Sequence, residues 1–223
     1  MHWPLLSFNE LSVYEPKSKK RAESNINMNF IKKCWIWASV WKASRCGASG
    51  FNSIYLLNDP WGLKSHQERL RYHETLRIIQ EKIGRKFGRI LEFGCGEGVQ
   101  TEYFAAIADS IIAVDPSGIA IKRARRRGIS NASFEVGDLM TYHPRDMRMF
   151  DLVAACEVLY YLPSINEAIE KIRSLGRGYV ITYYEREFDR LDKYFSNSQV
   201  SSETVYGSAC AWKVRCWSSS NPN

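Results

Sequence analysis

The chain has no apolar run of the length that a helix needs to span a bilayer, which excludes a helical membrane protein. Its first residues lack the apolar core of a secretory signal. It has six cysteines, yet no Cys-x-x-Cys pair and no cysteine–histidine cluster. That pattern argues against a zinc site and fits reduced thiols, so a cytoplasmic location and no metal are expected. Histidine is scarce, with four in 223 residues. His66 and His73 fall two turns apart on one helix, a spacing that cannot share a metal as an i, i+4 pair can. Residues 28–57 contain no aspartate or glutamate. No internal repeat is visible.

The rest of the composition is that of a globular protein: 45% hydrophobic, 25% charged, and long enough to bury a core. The net charge of +7 allows an anionic partner without requiring one. Five of the positive charges lie in Lys122-Arg-Ala-Arg-Arg-Arg127, where a solvated helix face is preferred over an RNA-contacting patch.

The chemistry is concentrated in Arg89-Ile-Leu-Glu-Phe-Gly-Cys-Gly-Glu-Gly-Val-Gln100. Ile90, Leu91 and Phe93 read as a buried parallel strand. Gly94, Gly96 and Gly98 follow, and Val99, Tyr103 and Ile107 recur at helical spacing. A loop of this kind lets backbone approach a ligand closely, because no Cβ intervenes. A second run, Ile111-Ile-Ala-Val114, ends in Asp115, about 20 residues past the first glycine. At that spacing a carboxylate meets a ribose hydroxyl in nucleotide-binding βαβ units. A dinucleotide fingerprint would put its third glycine at position 99, which is Val99. A tight βα turn that binds nothing is the plain alternative.

The remaining elements follow in order. A helix is expected from Lys64 to Ile83, stopped by Gly84. The core strands are expected at 89–93, 110–115 and 132–136, then at 150–156 and 179–182. An amphipathic helix carries Ile165, Ile169, Ile172 and Leu175, a short helix carries Phe188, Leu191 and Phe195, and a final hairpin closes the fold. Gly137-Asp138-Leu139 ends the third strand. There a carboxylate can accept from an exocyclic amine while the next backbone N–H donates to a ring nitrogen, which together would read adenine. Glu157-Val-Leu-Tyr-Tyr-Leu162 follows the fourth strand, at the switch point where ligands sit in such sheets.

The pattern Glu92-x-Gly94-x-Gly96-x-Gly98 resembles the first motif of class I S-adenosylmethionine (SAM)-dependent methyltransferases, and the resemblance covers about residues 58–185. It implies an α/β fold: a Rossmann-like three-layer sandwich with a mostly parallel seven-stranded sheet of order 3-2-1-4-5-7-6, here behind an N-terminal helical cap. Asp59-Pro60-Trp61 followed by Glu68, Arg69 and Arg71, together with Glu157 to Leu162, is similar to the nodulation-type chitooligosaccharide N-methyltransferases. The cofactor implied is SAM. The residues implied to bind it are Trp61, Arg69, Arg71, Tyr72, Glu92, Gly94, Cys95, Gly96, Asp115, Pro116, Asp138, Leu139 and Glu157. The Asn/Asp-Pro-Pro-Tyr signature of base methyltransferases is not present, nor is the metal cluster of small-RNA 2′-O-methyltransferases.

Methyl transfer from a sulfonium mainly needs alignment and exclusion of water. For an amine acceptor, Glu157, Tyr160 and Tyr161 suit the reacting end. For a hydroxyl, a general base is wanted, and His73 or His66 is the candidate. The expected organisation is a disordered leader over 1–27, a helical cap over 28–84, the methyltransferase domain over 85–217 and a polar tail over 218–223. The aromatic stretch at 28–57 reads as a lid, with a membrane-surface helix over 28–45 or an organellar transit segment as alternatives. The leading reading is a methyltransferase acting on an amine or hydroxyl of a small molecule such as a sugar. An RNA or protein methyltransferase and an inactive SAM-fold binding protein are the alternatives.

Overall fold

The computed structural model describes residues 48–146, 148–196, 199–208 and 210–219. The expectations for 1–27 and 28–45 lie outside them, and so do residues 220–223 of the polar tail.

Seven strands form one sheet in the order β3-β2-β1-β4-β5-β7-β6, the order that the resemblance implies. They are β1 (Phe87–Phe93), β2 (Ala108–Asp115), β3 (Ala132–Val136), β4 (Leu152–Cys156), β5 (Gly178–Tyr184), β6 (Ser201–Tyr206) and β7 (Ala211–Ser218). The first five pair in parallel; β7 runs antiparallel to both β5 and β6. The helices are α1 (Ala48–Ile54), α2 (His66–Lys82), α3 (Val99–Ala105), α4 (Gly118–Arg125), α5 (Ile165–Leu175) and α6 (Phe188–Leu191).

The strands look continuously apolar because both faces are covered. Side chains alternate across the sheet, so Ile90, Leu152, Ala154 and Val180 face one core with Ile78, Ile79, Phe104 and Ile121. Leu91, Val153, Ala155 and Ile181 face the other, with Ile165, Ile169, Ile172 and Leu191. Helices α2, α3 and α4 thus cover one side and α5 and α6 the other, which makes the three layers. Helix α2, placed in the cap by the sequence, packs Ile78 and Ile79 into the same core as β6 and β7. Ser65 caps it, accepting from the Glu68 N–H at 3.3 Å.

β1 sits between β2 and β4, so the chain winds outward in both directions from it. The crevice lies at the carboxyl ends of β1 and β4. Gly94 and Cys95 donate to the Val114 carbonyl at 2.7 and 3.1 Å, which pins the loop after β1 to the end of β2. The basic run on α4 is largely consumed internally. Arg123 bonds Glu97 and the Leu57 carbonyl, Arg125 bonds the Phe134 carbonyl, and Arg127 bonds Glu102.

Leu91 is fully buried in the central strand. Leu91→Ala should cost about 2–5 kcal/mol in urea melts. Leu56, which is 66% exposed, should lose no more than about 0.5 kcal/mol on the same substitution.

Candidate active site

A cavity of about 600 Å³ opens at this crevice. The glycine loop forms its floor. Gly94 and Gly96 have φ of +72° and +54°, values costly for residues with a side chain. A Cβ on Gly94 would collide with Val158, and one on Gly96 would stand 2.8 Å from the Tyr55 hydroxyl. The loop therefore approaches both the segment after β4 and the chain that follows α1.

Asp115 is buried behind this loop. Its oxygens accept from the backbone N–H groups of Gly96 at 3.0 Å and Ser117 at 2.8 Å. The cavity wall beside it is made by Val114 and Pro116. The Asp115 carboxylate thus holds the loop in place. Burial raises its pKa to about 6 against the lowering effect of the two N–H bonds.

Glu92, at the end of β1, lines the cavity and accepts from Thr101 Oγ1 at 2.6 Å. Burial lifts its pKa to about 7, with the Thr101 bond and the charge of Arg71 pulling the other way. Gly137, Asp138 and Leu139 line the cavity at the end of β3. Asp138 Oδ1 accepts from the Met140 N–H at 2.9 Å, closing its turn.

Glu157 holds a left-handed backbone, φ +60°, directly after β4. Its oxygens accept from Thr182 Oγ1 at 2.8 Å and the Tyr160 hydroxyl at 3.0 Å. Burial raises its pKa, opposed by Arg71 and the Thr182 bond. Tyr160 and Tyr161 continue the wall on a 3-10 turn, Leu159–Tyr161. Tyr161 meets Phe51 edge-on and stands against Trp61, at centroid distances of 5.9 and 6.0 Å. Trp61 Nε1 donates to the Tyr55 hydroxyl at 3.2 Å.

Arg71 and Tyr72 point inward from α2 and line the cavity. The Arg71 guanidinium, 3% exposed, donates to Glu68 through Nε and Nη2, and to Gln100 Oε1 at 3.0 Å through Nη1. Arg69 and His73 do not reach the cavity. Each lies two residues from Arg71, about 200° around the helix, and each is exposed. Arg69 donates to the Lys64 carbonyl, and His73 packs its ring against Tyr103. The roles expected of these two residues are therefore withdrawn. His66 is likewise exposed.

Several wall residues escaped the sequence reading. Phe51 and Tyr55 come from the end of the aromatic stretch, whose description as a lid was the available signal. Gln67 and Gln100 lie one helical step from noted positions, and Glu68 was named in the motif without a role in the site. Tyr184, Arg186 and Glu187 follow β5, while Cys210 and Trp212 arrive through the antiparallel hairpin. Ser208 on that hairpin accepts from Gln67 Nε2, which ties its tip to α2. Burial pushes the Cys156 thiol up to about 12 and raises Cys95 as well, so neither of these two cysteines offers a thiolate. Among the described residues no group of three His, Cys, Asp or Glu is placed to hold a metal, and no helix is long and apolar enough to cross a membrane.

The raised Glu92 pKa fixes a sign. The folded state holds this proton more tightly than the unfolded chain, whose value is near 4.5. Its contribution is fully present below about pH 4.5 and is lost as the pH rises through about 7. Above that, the ionised buried carboxylate costs about 3 kcal/mol at 1.36 kcal/mol per unit. Glu92→Gln should therefore melt higher than the parent at pH 8, by a margin that shrinks towards pH 5. A margin independent of pH would contradict this assignment.

Comparison with known proteins gives one consistent relationship. The family model for Nodulation protein S (NodS) matches residues 54–180. Nodulation protein S of Bradyrhizobium diazoefficiens is 34% identical over 122 residues, covering 53% of this chain and 56% of that protein. A 2-heptyl-1-hydroxyquinolin-4(1H)-one methyltransferase of Mycobacteroides abscessus is 24% identical over 136 residues, covering 57% of this chain and 56% of that protein. The chain spans about half to three-fifths of the length of the curated relatives it matches most strongly. Among solved structures, the N-methyltransferase NodS of Bradyrhizobium japonicum in complex with S-adenosylhomocysteine superposes with a TM-score of 0.65 at 22% identity. That alignment covers 78% of this chain and 98% of that one. With more than half of its length matched by the family model, this chain belongs to the NodS family.

Proposed function

We propose that the chain is a SAM-dependent methyltransferase acting on an amine or hydroxyl of a small molecule, with an aminosugar or oligosaccharide as the favoured acceptor. The observation that carries this reading is the shared cavity: the glycine loop after β1 and Glu157 after β4 open into the same space. The residues present fit the cofactor. Gly94 and Gly96 leave a floor that a Cβ would obstruct, Glu92 offers a carboxylate to an ammonium group, and Asp138 and Leu139 stand at the end of β3 for the adenine.

When bound, SAM supplies a methyl group already activated by positive sulfur. The chain's own residues then have three tasks. Phe51, Tyr55, Trp61 and Tyr161 exclude water around the reacting atoms. Glu157, steadied by Thr182 and Tyr160, faces the acceptor and takes the proton that its nitrogen or oxygen gives up. A carboxylate whose pKa is raised by burial is suited to that role. Tyr184, Arg186, Glu187 and Trp212 offer a mixed polar and aromatic surface to the rest of the acceptor. With Arg69 and His73 outside the cavity, Arg71 and Glu157 take over the roles first shared with them. A cytoplasmic location accompanies this reading, with peripheral membrane contact through 28–45 as its variant. Retention on RNA at low salt would favour the nucleic-acid alternative instead.

The test combines a thermal shift with one variant. S-adenosylhomocysteine at 100 times its dissociation constant should add about 2.7 kcal/mol of stability, and NAD none. Glu157→Gln should keep that shift while slowing labelled methyl transfer by about 10²–10⁴-fold. Loss of neither shift nor rate would remove Glu157 from the mechanism. No shift in the folded parent would remove the cofactor.

A further inference from the structure

Gln100 lines the cavity and is 8% exposed. The sequence reading gives it no role. Its side-chain oxygen accepts from Arg71 Nη1 at 3.0 Å. Arginine can only donate, so this bond fixes which end of the amide is which and turns Nε2 away from Arg71. That nitrogen is buried and has no acceptor among the described residues. A buried amide nitrogen without a partner is costly, and buried donors are nearly always matched.

The surroundings define what would match it. Gln100 shares the cavity with Glu92, the carboxylate at the end of β1 that accepts from the neighbouring Thr101. Arg71 supplies a full positive charge on the other side of the amide. An acid next to an amide donor and a guanidinium is the pattern that recognises an α-amino acid, with its ammonium and carboxylate on adjacent positions. We propose that Gln100 is a specificity residue for the amino-acid end of the cofactor, donating Nε2–H to its α-carboxylate while its oxygen orients Arg71. This rests on the SAM reading above and extends it to a residue that recognises the zwitterion.

The experiment uses three probes with the full chain and with Gln100→Met, measured by calorimetry. The probes are S-adenosylhomocysteine, its decarboxylated analogue that keeps the amine, and 5′-methylthioadenosine, which lacks the amino-acid end. Gln100→Met should weaken S-adenosylhomocysteine by about 10-fold or more, the range for a hydrogen bond to a charged group. It should leave the other two unchanged. Equal weakening of all three would mean that the substitution disturbs the cavity as a whole, and the proposal would fall. Unchanged affinity for S-adenosylhomocysteine with a raised KM for the acceptor would place the amide on the acceptor instead, and would also overturn it. If the parent chain itself binds none of the three probes, the SAM reading fails first, an outcome separable from the others. Gln100→Glu gives a second check in a variant of nearly the same shape: a carboxylate facing a carboxylate should weaken S-adenosylhomocysteine further than the neutral thioether does.

Discussion

The guanidinium of Arg71 is buried in the wall of the cavity, bonded to Glu68 and within electrostatic reach of Glu92 and Glu157. Burial alone drives carboxylates towards their neutral form. Arg71 opposes that drift at two positions at once, Glu92 after β1 and Glu157 after β4. It also joins elements distant in sequence, since its Nη1 reaches Gln100 on α3 and Thr182 on β5. An isolated buried charge would be costly, and the pair with Glu68 makes it tolerable. The placement of the amide at Gln100 and the charge balance at Glu92 and Glu157 both depend on this one group.

Much of the fold was legible because parallel strands covered on both faces are written as continuous apolar runs. Ile90 to Phe93 and Ile111 to Val114 could hardly be anything else, and the glycines between them marked the loop. Glu157 and its tyrosines were legible because they directly follow the fourth strand. The sheet order and the family came from the resemblance, and the observed order and the NodS match agree with it. What the sequence could not supply was rotation. Arg69, Arg71, Tyr72 and His73 sit within five residues of α2, and the sequence reading gave all four a place in the site. Only packing of Tyr72, Thr75 and Ile79 decides which of them turn inward.

The wall formed after β5 was less legible for a different reason. Tyr184 and Trp212 meet at the cavity because β7 returns antiparallel beside β5, pairing these two residues directly. Cys210 follows from the same non-local pairing. No local spacing announces it. Tyr160, Tyr161 and Trp61 line the same cavity, so its walls are rich in aromatic rings.

Gln67 on α2 is tied to Ser208 at the tip of the last hairpin, and Trp212 beyond it completes the wall that Phe51 begins. The cavity is therefore bounded by the earliest and the latest elements described. On the ribosome, where the chain emerges from its N-terminus, β1 and its glycine loop are made long before the hairpin. Until β7 is in place, one side of the cavity has no wall. A ligand that depends on enclosure can be retained only after β7 has been added, so tight retention of the cofactor would mark a chain whose hairpin has already left the ribosome.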